Sequence, residues 1–210
     1  MARLRERIVE GRSYVCPTPK FIDKKLFDLS QQIINSGIKV DLIIAIARGG
    51  WALAPTLAND FGIKPINSLE YIAYKGTDFT GVKLITDLSE TTKEEIEGKN
   101  VLILEDIVDS GNTVQRAAEY IESFKPNELK SAVLFWNDKK SVVIPDFYAS
   151  RTKSWVVFPH EQGGFIRESY KKWSNEGKDE RGIRRNLRKV GLKRRKINFF
   201  MTNRLGEPII

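Results

Sequence analysis

The chain has one cysteine, one histidine and no apolar run long enough to cross a bilayer. Each scarcity removes a class of protein. Cys16 alone can form no internal disulfide, and no cysteine cluster exists to ligate a structural metal. His160, beside Pro159, reads as structural and not as the base of a Ser-His-Asp arrangement. The longest apolar stretches, such as Leu42 to Ala47, fall far short of the roughly 20 residues a spanning helix needs. The charged opening from Met1 to Arg7 is not followed by an apolar segment of signal length, so a soluble cytoplasmic protein is expected, without a membrane partner.

With 210 residues the chain can bury a sizeable core. Its net charge of +8 is local: from Arg167 onward there are 14 Lys and Arg against 5 acids, and before that 21 against 22. In that basic end Ile183, Leu187 and Val190 recur at helical spacing, Gly191 interrupts, and Ile197, Phe200, Met201 and Leu205 begin a second stripe. The expected organisation is a core over residues 1–165 and a basic helical extension over residues 166–210. Electrostatic attraction of phosphate-rich substrates is preferred for the extension over nucleic-acid binding through the cations between Arg184 and Lys196.

Strand and helix patterns alternate along the rest. Ile22, Leu26, Leu29 and Ile33 predict an amphipathic helix closed by Gly37. Residues 41–47 predict a buried strand, residues 51–61 a helix despite Pro55, and short strands follow near residues 63–66 and 71–74. Further strands are expected at 101–105, 131–136 and 155–158, with a helix from about 113 to 124. This order gives an α/β fold with a parallel-stranded central sheet flanked by helices.

One segment carries most of the chemistry. Val101 to Leu104 is continuously apolar, as strands covered on both faces are. Glu105 and Asp106 then stand at the carboxyl end of that strand, where open α/β sheets hold ligands. Asp109, Ser110, Gly111, Asn112 and Thr113 follow as a small-residue turn with two hydroxyls, and the apolar spacing after it puts the turn at a helix N-terminus. Backbone NH groups and the helix dipole favour a phosphate there. Two adjacent carboxylates repel unless a partner is present, and ribose hydroxyls with a magnesium ion would supply one.

The thirteen residues from Val101 to Thr113 resemble the signature of type I phosphoribosyltransferases, which bind phosphoribosyl pyrophosphate (PRPP). The resemblance implies the type I phosphoribosyltransferase fold, with Glu105 and Asp106 on the ribose hydroxyls and the loop from Asp109 to Thr113 around the 5'-phosphate. Upstream, Ala47-Arg48-Gly49-Gly50 is similar to the pyrophosphate loop of purine-type members, in which the peptide entering the loop can be cis. Downstream, Trp155 to Glu161 resembles the base-binding segment of the 6-oxopurine branch, with Trp155 stacking on the purine and the Val156 backbone at its edge. The resemblance also implies Mg2+ at Glu105, Asp106 and, through water, Glu161. It implies a mobile loop within residues 71–85, and a homodimer.

The implied reaction joins a purine base to PRPP, giving a nucleoside monophosphate and pyrophosphate. Asp109 and Arg48 are the expected catalytic residues, Asp109 handling a purine proton and Arg48 the departing anion. The base is less uniform in its signals. Asp109 suits 6-oxopurines, but Asn137 and Asp138 stand near the place where that branch carries a lysine, with Lys139 and Lys140 one or two positions on. Asparagine or aspartate can accept from a 6-amino group, whereas lysine only donates. Adenine is therefore the expected base, bound by Trp155, Val156, Asn137, Asp138 and Lys139, with hypoxanthine, guanine or xanthine as the alternative. A PRPP-sensing regulator that binds nucleic acid is the reading from another class.

Overall fold

The computed structural model describes residues 4–75 and 80–203. By internal contacts the chain forms two units. One is Ile22–Lys153, and the other is built from the described residues before and after it, 4–21 and 154–203. The division follows strand pairing: a hairpin at the start of the chain joins residues after Ser154, so the expected cut between residues 165 and 166 does not coincide with it.

The unit of Ile22–Lys153 is organised around a six-stranded sheet. Helix α1 (Pro19–Asn35) buries Leu26, Leu29 and Ile33 and is followed by Gly37 at a φ of 79°, as its spacing predicts. Strand β3 (Leu42–Ala47) follows, then a 3-10 turn at Gly50–Ala52 and helix α2 (Ala54–Phe61). The helix expected from residue 51 starts later because Pro55, lacking an NH, sits in its first turn. The two short strands expected at 63–66 and 71–74 are one strand, β4 (Ile66–Lys75), paired antiparallel with β5 (Thr80–Thr86). The expected mobile loop thus corresponds to this hairpin, and residues 76–79 within it lie outside the described residues.

Helix α3 (Glu90–Ile96) is capped by Ser89, whose hydroxyl accepts from the Thr92 NH. Strand β6 (Asn100–Val108), helix α4 (Asn112–Glu122), strand β7 (Glu128–Trp136) and strand β8 (Phe147–Arg151) complete the unit. The sheet order is β5-β4-β3-β6-β7-β8, parallel except for β5. Ile44, Leu102, Ile103 and Leu134 are buried within it, which accounts for runs without alternation. Because β3 meets β4 on one side and β6 on the other, the chain reverses direction across the sheet between β3 and β6. Ligands of open α/β sheets sit at the carboxyl ends of such a pair.

The second unit pairs strand β1 (Glu6–Val9) antiparallel with β2 (Arg12–Val15), and β2 parallel with β9 (Trp155–Val156). Strand β9 is shorter than the expected 155–158. Three helices follow: α5 (Gln162–Asn175), α6 (Glu180–Val190) and α7 (Arg194–Thr202). Their apolar stripes meet Val9 and Tyr14 in one core with Ile166, Trp173, Ile183, Leu187, Val190, Ile197 and Met201. Helix α6 is capped by Asp179 and ends at Gly191 with a φ of 115°, so the interruption read in the sequence is a helix C-cap. No described helix is long and apolar enough to cross a membrane.

Replacing Ile103, 1% exposed at the centre of the sheet, with Ala should destabilise the protein by about 2–5 kcal/mol. The check is the midpoint of urea unfolding; an unchanged midpoint would show that this strand is not core.

Candidate active site

The pyrophosphate-loop candidates and the acidic pair are brought together by the register of two parallel strands. Leu42 to Ala45 on β3 pair with Val101 to Leu104 on β6, so Ala47, Arg48, Gly49 and Gly50 leave the sheet beside Glu105 and Asp106. The Ala47–Arg48 peptide is cis. A side chain at Gly49 would overlap the Asp106 carboxyl, and one at Gly50 would overlap the Leu104 carbonyl. Glycine at both positions is therefore a requirement of packing, and it presses the loop backbone against the acid pair.

The two carboxyls differ in environment. Asp106 is buried, at 5% exposure, while Glu105 accepts from the Asp106 NH at 2.9 Å. Burial, followed by the charge of Asp106, pushes the Glu105 carboxyl well above the usual carboxylate range. Two neighbouring acids under a close backbone loop form a donor set of hard oxygens, which suits Mg2+ and ribose hydroxyls.

Beyond β6 the turn closes on helix α4. Gly111 takes a φ of 88° at the N-cap position and offers no side-chain cap; the Asn112 NH faces the Ser110 hydroxyl at 3.5 Å, and the NH groups after it in the first turn are left for an anion. A side chain at Gly111 would collide with Ser141 and Val143. The reason is a backbone link, in which the Val142 NH donates to the Ser110 carbonyl at 2.8 Å. The loop after β7 thus lies directly on the turn before α4.

That contact explains Asp109. Its carboxylate accepts from the Asn137 amide at 2.8 Å and is paired with the Lys140 ammonium. The Asn137 side-chain oxygen in turn faces the Lys139 NH at 3.4 Å, and Asp138 is turned toward Arg151 at 3.6 Å. Neither acceptor is presented as the adenine reading requires. Lys140, noted in the sequence but not placed in the site, is the residue that reading missed; its signal was nearness to Asn137 in the chain. Lys139 is exposed on the same loop.

Trp155, Val156 and Glu161 belong to the other unit. Trp155 is 45% exposed, and the guanidinium of Arg12 lies over its ring at 4.1 Å, a cation–π contact made across the β2–β9 pairing. Val156 is buried, and Glu161 stands at the N-cap of α5.

Residues 20–163 match the family described as phosphoribosyl transferase domain. The chain belongs to that family. It is a type I purine phosphoribosyltransferase, an enzyme of the pentosyltransferase class. It is 33% identical to a hypoxanthine-guanine phosphoribosyltransferase of Dictyostelium discoideum over 125 residues, 56% of this chain and 67% of that protein. It is 43% identical to the hypoxanthine phosphoribosyltransferase of Salmonella typhimurium over 127 residues, 57% of this chain and 67% of that one. Among solved structures, a purine phosphoribosyltransferase from Pyrococcus horikoshii superposes with a TM-score of 0.62 at 30% identity, covering 70% of this chain and 93% of that chain. A Neisseria gonorrhoeae protein with bound ppGpp superposes with a TM-score of 0.63 at 25% identity, over 70% and 89%. None of these names adenine.

The raised Glu105 carboxyl has a sign that stability measurements can read. A carboxyl that holds its proton more tightly when folded lowers stability as pH rises from the ordinary value of 4.5 through the raised one. Glu105→Gln should therefore raise the neutral-pH melting temperature of the unliganded protein and flatten its decline above pH 4.5. Identical pH profiles for the two proteins would remove the burial argument.

Proposed function

We propose that the chain transfers the phosphoribosyl group of PRPP to a 6-oxopurine (hypoxanthine, guanine or xanthine), releasing pyrophosphate. The observation that carries this is the crevice between β3 and β6. There the Arg48–Gly50 loop, the Glu105–Asp106 pair and the open N-terminus of α4 converge at the carboxyl ends of parallel strands. The preference for adenine is given up. Asn137 spends its amide on Asp109 and the Lys139 NH, while Lys140 has one donor toward Asp109 and two left for a 6-oxygen. The names of the relatives, for hypoxanthine and guanine, support the same choice.

In the mechanism the NH groups from Ser110 to Thr113 hold the 5'-phosphate, and Glu105 and Asp106 orient the ribose hydroxyls. A Mg2+ ion held by these acids would neutralise the pyrophosphate charge. Arg48 and the NH groups after it stabilise the leaving pyrophosphate as the bond to C1 breaks, the largest contribution expected for oxocarbenium-like transfer. Asp109, held by Asn137 and Lys140, takes the purine proton. The core for this activity spans residues 1–165, with the basic helices as an extension.

Incubation with PRPP, Mg2+ and each of hypoxanthine, guanine, xanthine and adenine should give nucleotide with one or more of the first three and little with adenine. Asp109→Ala should lower kcat by about 10²-fold or more with a small change in PRPP affinity. Lys140→Ala should raise KM for the 6-oxopurine by about tenfold, the loss of one charged hydrogen bond. Equal use of adenine by the parent protein would reverse the assignment of the base.

A further inference from the structure

The basic helices of the second unit have no part in the reaction just described. Between Arg181 and Lys196 there are nine Lys and Arg and no acid. Arg184 is committed, pairing with Glu180 and donating to Asn198 of α7 at 2.8 Å, which ties the two helices together. Among the described residues the other eight have neither an ion pair nor a side-chain hydrogen bond, and all eight are exposed. Glu10, which feels the Lys189 charge, is already held by Lys178 at 3.0 Å and by Asn186 at 2.8 Å.

The arrangement is ordered. Arg181, Arg185 and Arg188 fall on one line of α6, about 10 Å long at 1.5 Å per residue, opposite the buried Ile183, Leu187 and Val190. Helix α7 opens with Lys193 at its N-cap and Arg194, Arg195 and Lys196 in its first turn, with no acid there. Cations at that end oppose the helix dipole, so local stability does not explain them. A polyanion would relieve both the mutual repulsion and the dipole conflict.

We propose that this α6–α7 face binds the phosphodiester backbone of a nucleic acid, without sequence preference, as an activity separate from phosphoribosyl transfer. A row of arginine forks at turn spacing matches a repeating phosphate array better than it matches a single small anion. Steering of PRPP requires only net field and no ordered row. An anionic membrane is disfavoured because the apolar face of α6 is already buried inside the unit and cannot insert. Phe199, 55% exposed on α7, is an aromatic on which an unpaired base can stack.

The test is fluorescence anisotropy of a labelled single-stranded RNA and a labelled DNA duplex with the full chain, from about 50 to 200 mM salt. Binding should weaken with salt at a log–log slope of about −3 to −5, corresponding to several neutralised phosphates. Arg181→Ala/Arg185→Ala/Arg188→Ala should weaken binding at least tenfold and make the slope shallower by about 2 to 3, with phosphoribosyl transfer unchanged. A second variant, Lys193→Ala/Arg194→Ala/Arg195→Ala, should act in the same direction. No binding at low salt, binding unaltered by either variant, or capture only by vesicles containing phosphatidylserine would overturn the proposal. So would a rise in the KM for PRPP without any loss of nucleic-acid binding.

Discussion

The contact on which the site depends is the backbone of Gly50 against the carbonyl of Leu104. Parallel pairing of β3 with β6 sets the two strand ends level, and the missing side chains at Gly49 and Gly50 let one loop settle on the acids of the other. Arg48, Glu105 and Asp106 share a crevice because of that approach, and the burial that raises the Glu105 carboxyl comes from the same packing. Any side chain at Gly50 would meet main-chain atoms, which cannot rotate away.

A second dependence runs through the loop after β7. It is joined to the turn before α4 by the Val142 NH and excludes a side chain at Gly111, so the residues that hold Asp109 and the turn from Ser110 to Thr113 are positioned as one piece. In the proposed function, choice of base and capture of PRPP are therefore mechanically linked. Under that proposal Lys140 supplies the free donors at this point, which favour an oxygen at the purine 6-position over an amino group.

Much of the unit that holds the crevice was legible in the sequence because its signals are local. Continuous apolar runs marked β3, β6 and β7, and the small-residue turn after Asp109 announced a helix start. The polar strand β5 was not legible, since an exposed antiparallel edge has no apolar run to betray it. The hairpin of β1 and β2 is four residues a side, and only its pairing with Trp155 and Val156 gives it meaning. The roles of Asn137 and Lys140 were hidden for a similar reason: spacing puts both near the site, but only the folded loop shows which one pairs with Asp109 and how.

The central claim is that one crevice holds both ends of PRPP, with the acid pair between them. Calorimetric titration of the protein in Mg2+ with PRPP, ribose 5-phosphate and pyrophosphate tests it directly. If both loops engage one molecule, PRPP should bind on the order of 10²-fold more tightly than either fragment, because the second contact is made at high effective concentration. PRPP binding no tighter than ribose 5-phosphate would contradict the account.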